Sequence, residues 1–221
     1  MKPNALMRIA LLILWLGIPA AQAAAGSITG TVTVNGLPSP ANILVYLNRA
    51  PEQKVDLSAA KFVMDQQNLT FIPHVLPVPV GASVLFPNND KVDHNIFSLS
   101  QAKKFNFGSY KPGEHRSEVF DKPGIVELRC DVHAEMLAYI YVMANPYFGV
   151  TDAKGHFRIP DLDYLKAHGI SNVAELPAGT YAIKTRHEKL KTEKQQVQVP
   201  AEGEVQVELK LKRGPAGVLY K

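Results

Sequence analysis

Cys130-Asp131-Val132-His133-Ala134-Glu135-Met136 is the stretch on which the reading of this chain turns. Cys, His and Met recur in it at three-residue intervals. A thiolate, an imidazole and a thioether on one short loop form a soft donor set, suited to a metal held in two oxidation states, copper above all. Cys130 is the only cysteine in 221 residues, so it cannot pair within its own chain. It is a buried bystander, a partner in an intermolecular bridge, a nucleophile or a ligand, and the His and Met beside it favour the last. Zinc also takes Cys and His, but a Met donor argues for copper.

A trigonal copper site of two His and one Cys with a long axial Met needs a second imidazole from elsewhere in the chain. His94 is the best source. It stands in Phe86-Pro87-Asn88-Asn89-Asp90-Lys91-Val92-Asp93-His94-Asn95, after a β-like run and a turn, and it opens another β-like run. Such a strand end can share one rim of a sandwich with the Cys130 loop. Asn95 is placed to hydrogen-bond across the two loops and hold them in register. His74, after Phe71-Ile72-Pro73, is a possible additional metal or partner contact. His115, His156, His168 and His187 read as turn, hairpin or surface residues, and no His-x-His cluster points to a second copper centre. A Cys-His pair can also be a nucleophile and its base, but no Gly-x-Ser-x-Gly or Gly-rich phosphate loop accompanies it, so no enzyme is expected.

Outward from this segment the chain is a series of short β-like runs punctuated by Pro and Gly. Phe62 to Met64, Leu69 to Ile72, Val75 to Val80, Ala82 to Phe86, Asn95 to Leu99, Arg116 to Phe120, Gly124 to Arg129 and Ala138 to Ala144 predict an all-β sandwich or barrel. Before them, Ser27 to Val34 and Ile43 to Leu47 flank Asn35-Gly36, a hairpin signal. After them, Phe148 to Val150 and Phe157 to Ile159 flank Asp152-Ala153-Lys154-Gly155, read as a second hairpin. Thr180 to Thr185, Lys194 to Val199 and Glu204 to Leu211 complete the set. Residues 48 to 61 read as a polar connection. Asp163 to Glu175 reads as one short helix in a lid or docking loop.

The first residues read as an address. Lys2 and Arg8 precede the apolar run Ile9 to Ile18, and Ala21-Gln22-Ala23 fits a cleavage site, so residues 1–23 predict a secretory signal peptide and a periplasmic protein with no membrane span after cleavage. Hydrophobic residues at 46% and charged residues at 20% exclude wholesale disorder. A net charge of +4 with no basic run argues against nucleic-acid binding.

Phe86-Pro87-Asn88-Asn89-Asp90, His94-Asn95 and the run from Gly124 into Cys-x-x-His-x-x-Met resemble the cupredoxins, and the short interval from His133 to Met136 looks most like the amicyanin branch. The resemblance covers about residues 62 to 146. It implies a Greek-key β-sandwich, one type 1 copper on His94, Cys130, His133 and Met136, and single-electron transfer with a redox protein partner. Asp131 and Glu135 depart from it, since that loop is often less acidic. Two rival readings use the same residues: a copper carrier or sensor that exchanges its metal, and a β-sandwich scaffold or adhesion protein with a relic site.

Val150 to Ile159 and Leu176-Pro177-Ala178-Gly179-Thr180-Tyr181-Ala182-Ile183 resemble carboxypeptidase regulatory-like domains, which are small prealbumin-like sandwiches. Their opening strands usually read like Gly30 to Gly36 and Ala41 to Leu47. Residues 24–50 and 147–213 therefore form one expected domain, with the cupredoxin of residues 62–146 inserted into it.

Overall fold

The computed structural model describes residues 25–214; the signal-peptide reading of residues 1–23 lies outside them. The described chain is all-β but for one helix. In chain order the strands are β1 (Ala25–Asn35), β2 (Leu44–Leu47), β3 (Phe62–Val63), β4 (Asp65–Gln67), β5 (Thr70–Ile72), β6 (Val75–Pro79), β7 (Ala82–Pro87), β8 (His94–Ser100) and β9 (Lys103–Tyr110). They continue as β10 (His115–Phe120), β11 (Gly124–Arg129), β12 (Leu137–Met143), β13 (Phe148–Val150) and β14 (His156–Ile159). Helix α1 (Leu162–Ala167) precedes β15 (Leu176–Pro177), β16 (Gly179–Arg186), β17 (Lys194–Val199) and β18 (Gly203–Lys212).

The middle of the chain builds one sandwich. Its larger sheet runs β6-β12-β11-β8-β9 and its smaller sheet β10-β7-β3. Alternation sorts the side chains: Ala82, Val84 and Phe86 of β7 point inward while Ser83 and Leu85 are exposed. Phe62, Phe71, Phe86, Ile96, Phe120, Val126, Leu128 and Ile140 fill the space between the sheets. β12 is buried along nearly its whole length, because its second face is covered by the rest of the protein. The sandwich core also takes up Leu44 from β2, and Tyr46 packs against it.

The two ends of the chain build a second, smaller sandwich. β1 runs parallel to β18 from Gly26–Asn35 against Gly203–Lys212, and its other side pairs with β14 and β15. The facing sheet is β13-β2-β16-β17. Its core is Ile28, Val32, Ile43, Val45, Leu47, Phe157, Ile159, Ile183 and Leu209 with their neighbours.

Both expected hairpins are instead arches. β1 pairs with β14, β15 and β18, whereas β2 pairs with β13 and β16, so Asn35-Gly36 does not close a two-stranded ladder. Pro38 and Pro40 lie in the connection and have no N–H to donate, and the chain crosses from one sheet to the other. The same holds for β13 and β14, which lie in opposite sheets around the Asp152–Gly155 turn. β9 was not expected: Lys103, Lys104, Asn106 and Gly108 dilute its apolar signal, and only Phe105, Phe107 and the terminal Tyr110 turn toward the core.

The segment expected as a lid or docking loop is a strap. Asp161 caps α1 by accepting the Tyr164 N–H at 2.9 Å. Leu165, Ile170 and Val173 are buried in the core of the first sandwich, and Tyr164 Oη donates to the Pro77 carbonyl at 2.7 Å. Asn172 then ties the strap to the 48–61 connection, donating to Lys54 O at 2.9 Å and accepting the Asp56 N–H at 3.0 Å. Gly169 has φ +81°, and a Cβ there would run into the Ala59 carbonyl.

Candidate metal centre

Two loops at one end of the first sandwich bring the donors together. The first joins β7 to β8 and is organised by Asn88, which is fully buried. Its amide donates to Val92 O at 3.0 Å and to Tyr110 O at 3.1 Å, and its Oδ1 accepts the Asp90 N–H at 3.1 Å. This turn delivers His94 to the first position of β8, at 0% exposure. The second loop leaves β11 at Cys130, 4% exposed. It closes on itself where Met136 N–H donates to His133 O at 3.0 Å.

His94 Nδ1 lies 3.9 Å from Cys130 Sγ, His133 Nδ1 lies 4.0 Å from the same sulfur, and the two Nδ1 atoms are 3.1 Å apart. The point equidistant from these three atoms is about 2.1 Å from each, close to the ~2.0–2.3 Å of metal–nitrogen and metal–sulfur bonds. The donor atoms thus already frame the position of a single ion. Met136 is 1% exposed and sits in the apolar cluster that includes Cys130. His133 is the only partly exposed member of the set, beside the exposed Val132.

The supports are specific. Asp90 Oδ2 lies 3.0 Å from His94 Nε2, so the network assigns the ring proton to Nε2 and leaves the Nδ1 lone pair facing the sulfur. Asp90 Oδ2 also accepts the Leu69 N–H at 2.7 Å, from the tip of the β4–β5 hairpin. That backbone donor above all, with the His94 ring and the Lys91 N–H, holds the Asp90 carboxyl down at about 2. Asn95 bridges to the other loop: its Oδ1 accepts the Asp131 N–H at 2.6 Å and its Nδ2 donates to Asp131 Oδ2 at 2.9 Å. Asp131, an acidic departure at sequence level, is therefore the second half of a two-point clamp between β8 and the ligand loop.

His74 lies outside this group. Its Nδ1 is 3.1 Å from Leu137 O and its Nε2 is 3.3 Å from Glu188 Oε1. Among the described residues, His94, Cys130 and His133 are the one cluster of His, Cys, Asp or Glu close enough to share an ion. Asp90 was missed as a site residue because it read as turn chemistry. The one signal that could have found it is its position four residues before His94.

No protein family matches this chain, and none of the curated proteins does. Among solved structures it is similar to a purple cupredoxin from Nitrosopumilus maritimus, with 26% identity over 38% of this chain and 99% of that one, at a TM-score of 0.33. It is similar also to a reduced, singly substituted amicyanin, at 18% identity over 45% of this chain and 98% of that one, TM-score 0.36. The copper-containing nitrite reductase of Thermus scotoductus SA-01 matches at 21% identity over 52% of this chain and 28% of that one, TM-score 0.38.

Proposed function

We propose that this protein carries single electrons on one type 1 copper ion held by His94, Cys130, His133 and Met136. The observation that carries the reading is the convergence of one sulfur and two imidazole nitrogens on a common point at bonding distance, at one end of the first sandwich. Copper bound there supplies a one-electron couple. The chain's part is to keep the donors still. The Asn95–Asp131 clamp and the Asp90–His94 contact oppose movement of either loop when the charge on the site changes. The partly exposed His133 edge is the route by which an electron enters or leaves, toward a redox protein partner.

The protein acts in the periplasm, as the N-terminal Lys2/Arg8, apolar run and Ala21-Gln22-Ala23 support. The copper sandwich is an insertion in a carboxypeptidase regulatory-like domain, a reading supported by the pairing of β1 and β2 only with strands after Tyr147. No helix among the described residues is long and apolar enough to cross a membrane.

Voltammetry of the copper-loaded protein, with copper loss to a Cu(I) chelator followed in parallel, tests the proposal. A reversible one-electron wave with slow loss is expected. An irreversible wave with rapid loss would replace electron transfer by copper carriage.

A further inference from the structure

The seam between the two sandwiches holds an open-mouthed cleft of about 270 Å³. Leu44, Leu47, Ile125 and Met143 give it apolar walls, and Tyr141 and Arg186 line it as well. Its place follows from the strands: Arg186 ends β16 opposite Leu44 of β2, while Tyr141 of β12 is opposite Ile125 of β11. One sandwich supplies the cation and the other the phenol.

Both polar groups lack partners. Tyr141 is 2% exposed, and its Oη makes no hydrogen bond. Arg186 is half-buried overall, but its Nη1 is fully buried and equally without a hydrogen-bond partner. No ion pair involves Arg186 among the described residues, and the nearest acid in sequence, Glu188, is engaged elsewhere. Its Oε1 lies 3.3 Å from His74 Nε2, while its Oε2, 3.4 Å from His187 Nε2, makes no hydrogen bond, and the charge of this carboxylate is felt at Tyr141.

A guanidinium cannot shed its proton, and a buried N–H of a charged group left without an acceptor is costly even where the rest of the group reaches water. Burial pushes the Tyr141 phenol well up, so it too stays a proton donor. The cleft therefore offers two donors, one permanently charged, against apolar walls. Water can fill such a space but brings no negative charge. A carboxylate satisfies both donors and the charge at once, and Arg is the side chain suited to it.

We propose that this cleft is a binding site for a small organic acid, with its carboxylate on Arg186 and Tyr141 and its apolar body against Leu44, Leu47, Ile125 and Met143. Because both sandwiches contribute, the occupant also holds them together.

Calorimetric titration of the mature protein with benzoate, and with benzyl alcohol as its uncharged counterpart, tests this. One-site saturable binding of benzoate but not of benzyl alcohol is expected. Arg186→Gln should weaken benzoate by about tenfold or more, as loss of a charge-assisted pair implies. Tyr141→Phe removes only an oxygen and keeps the fold if Arg186→Gln does not; it should weaken benzoate severalfold. Absence of saturable benzoate binding at tens of millimolar, equal binding of benzyl alcohol, or insensitivity to both substitutions in folded variants would overturn the proposal and leave a water-filled seam.

Discussion

Replacing Asn95 by Ala removes the clamp between β8 and the ligand loop, together with a longer 3.4 Å bond from its Nδ2 to Asn106 Oδ1. Asn95 is 4% exposed and spans the gap with two bonds, at 2.6 Å to the Asp131 N–H and 2.9 Å to the Asp131 carboxylate. The lost acceptor leaves a backbone N–H unpaired, at about 1–3 kcal/mol when buried. The lost bond to the carboxylate is charge-assisted, but Asp131 is exposed and water replaces part of it. Because Asp131 is exposed and water reaches both groups, together these put the destabilisation at about 1–3 kcal/mol. For a chain of this length that is a fall in Tm of about 2–12 °C. Thermal or urea unfolding of the copper-free variant, followed by circular dichroism, reads it. Asp131→Ala in a double-mutant cycle should show a coupling of about 1 kcal/mol. A variant within about 0.5 kcal/mol of the parent would refute the reasoning, since that is the scatter of an ordinary surface change.

Four further outcomes are expected. Asp90→Ala frees the His94 ring and should weaken copper retention by about 10–100-fold in a chelator competition, with unchanged retention as the contrary result. Leu165→Ala, at 1% exposure on the strap, should cost about 2–5 kcal/mol in unfolding while leaving the copper absorption band in place; a neutral effect would mean that the strap is dispensable. The Glu188 carboxylate raises the His74 pKa, so this pair stabilises fully below the ordinary His value of about 6.5 and its contribution fades as pH rises through the raised value. The stability difference between parent and His74→Gln should therefore be larger at acid than at alkaline pH. Desolvation, the main cause of the lowered His187 pKa, works in the opposite sense and is common to both proteins; the smaller repulsion from His74 is lost in the variant. A pH-independent difference would sink the assignment. Limited proteolysis near residues 55 and 146 should leave residues 25–50 co-purifying with residues 147–213, as the β1–β18 ladder requires; release of a free 24–146 fragment would contradict it.

What could be read from the sequence was what is local. Cys130, His133 and Met136 lie on one short loop, and His94-Asn95 begins a strand, so residue type and spacing sufficed to nominate them. Asp90 was opaque because its role arises from a contact with the His94 ring and a donor at Leu69, in another hairpin. The arches at Asn35-Gly36 and Asp152–Gly155 were misread for a similar reason. A turn between two β-like runs does not say whether the second strand pairs with the first or crosses to a facing sheet, and here partners more than a hundred residues away decide it. Tyr139, Tyr141 and Met143 give β12 a second apolar face that matters only because the outer sandwich covers it. The strap was legible as a short helix, but that Leu165, Ile170 and Val173 pack into the first sandwich was not.

The most direct test of the central claim is a Cu(II) titration of the mature protein, read by visible absorption and electron paramagnetic resonance, with Cys130→Ala alongside. One equivalent of copper should produce an intense thiolate-to-copper charge-transfer band and a narrow copper hyperfine splitting, both absent from the variant. Weak, colourless or non-stoichiometric binding, or a spectrum indifferent to Cys130, would contradict a type 1 centre at His94, Cys130, His133 and Met136.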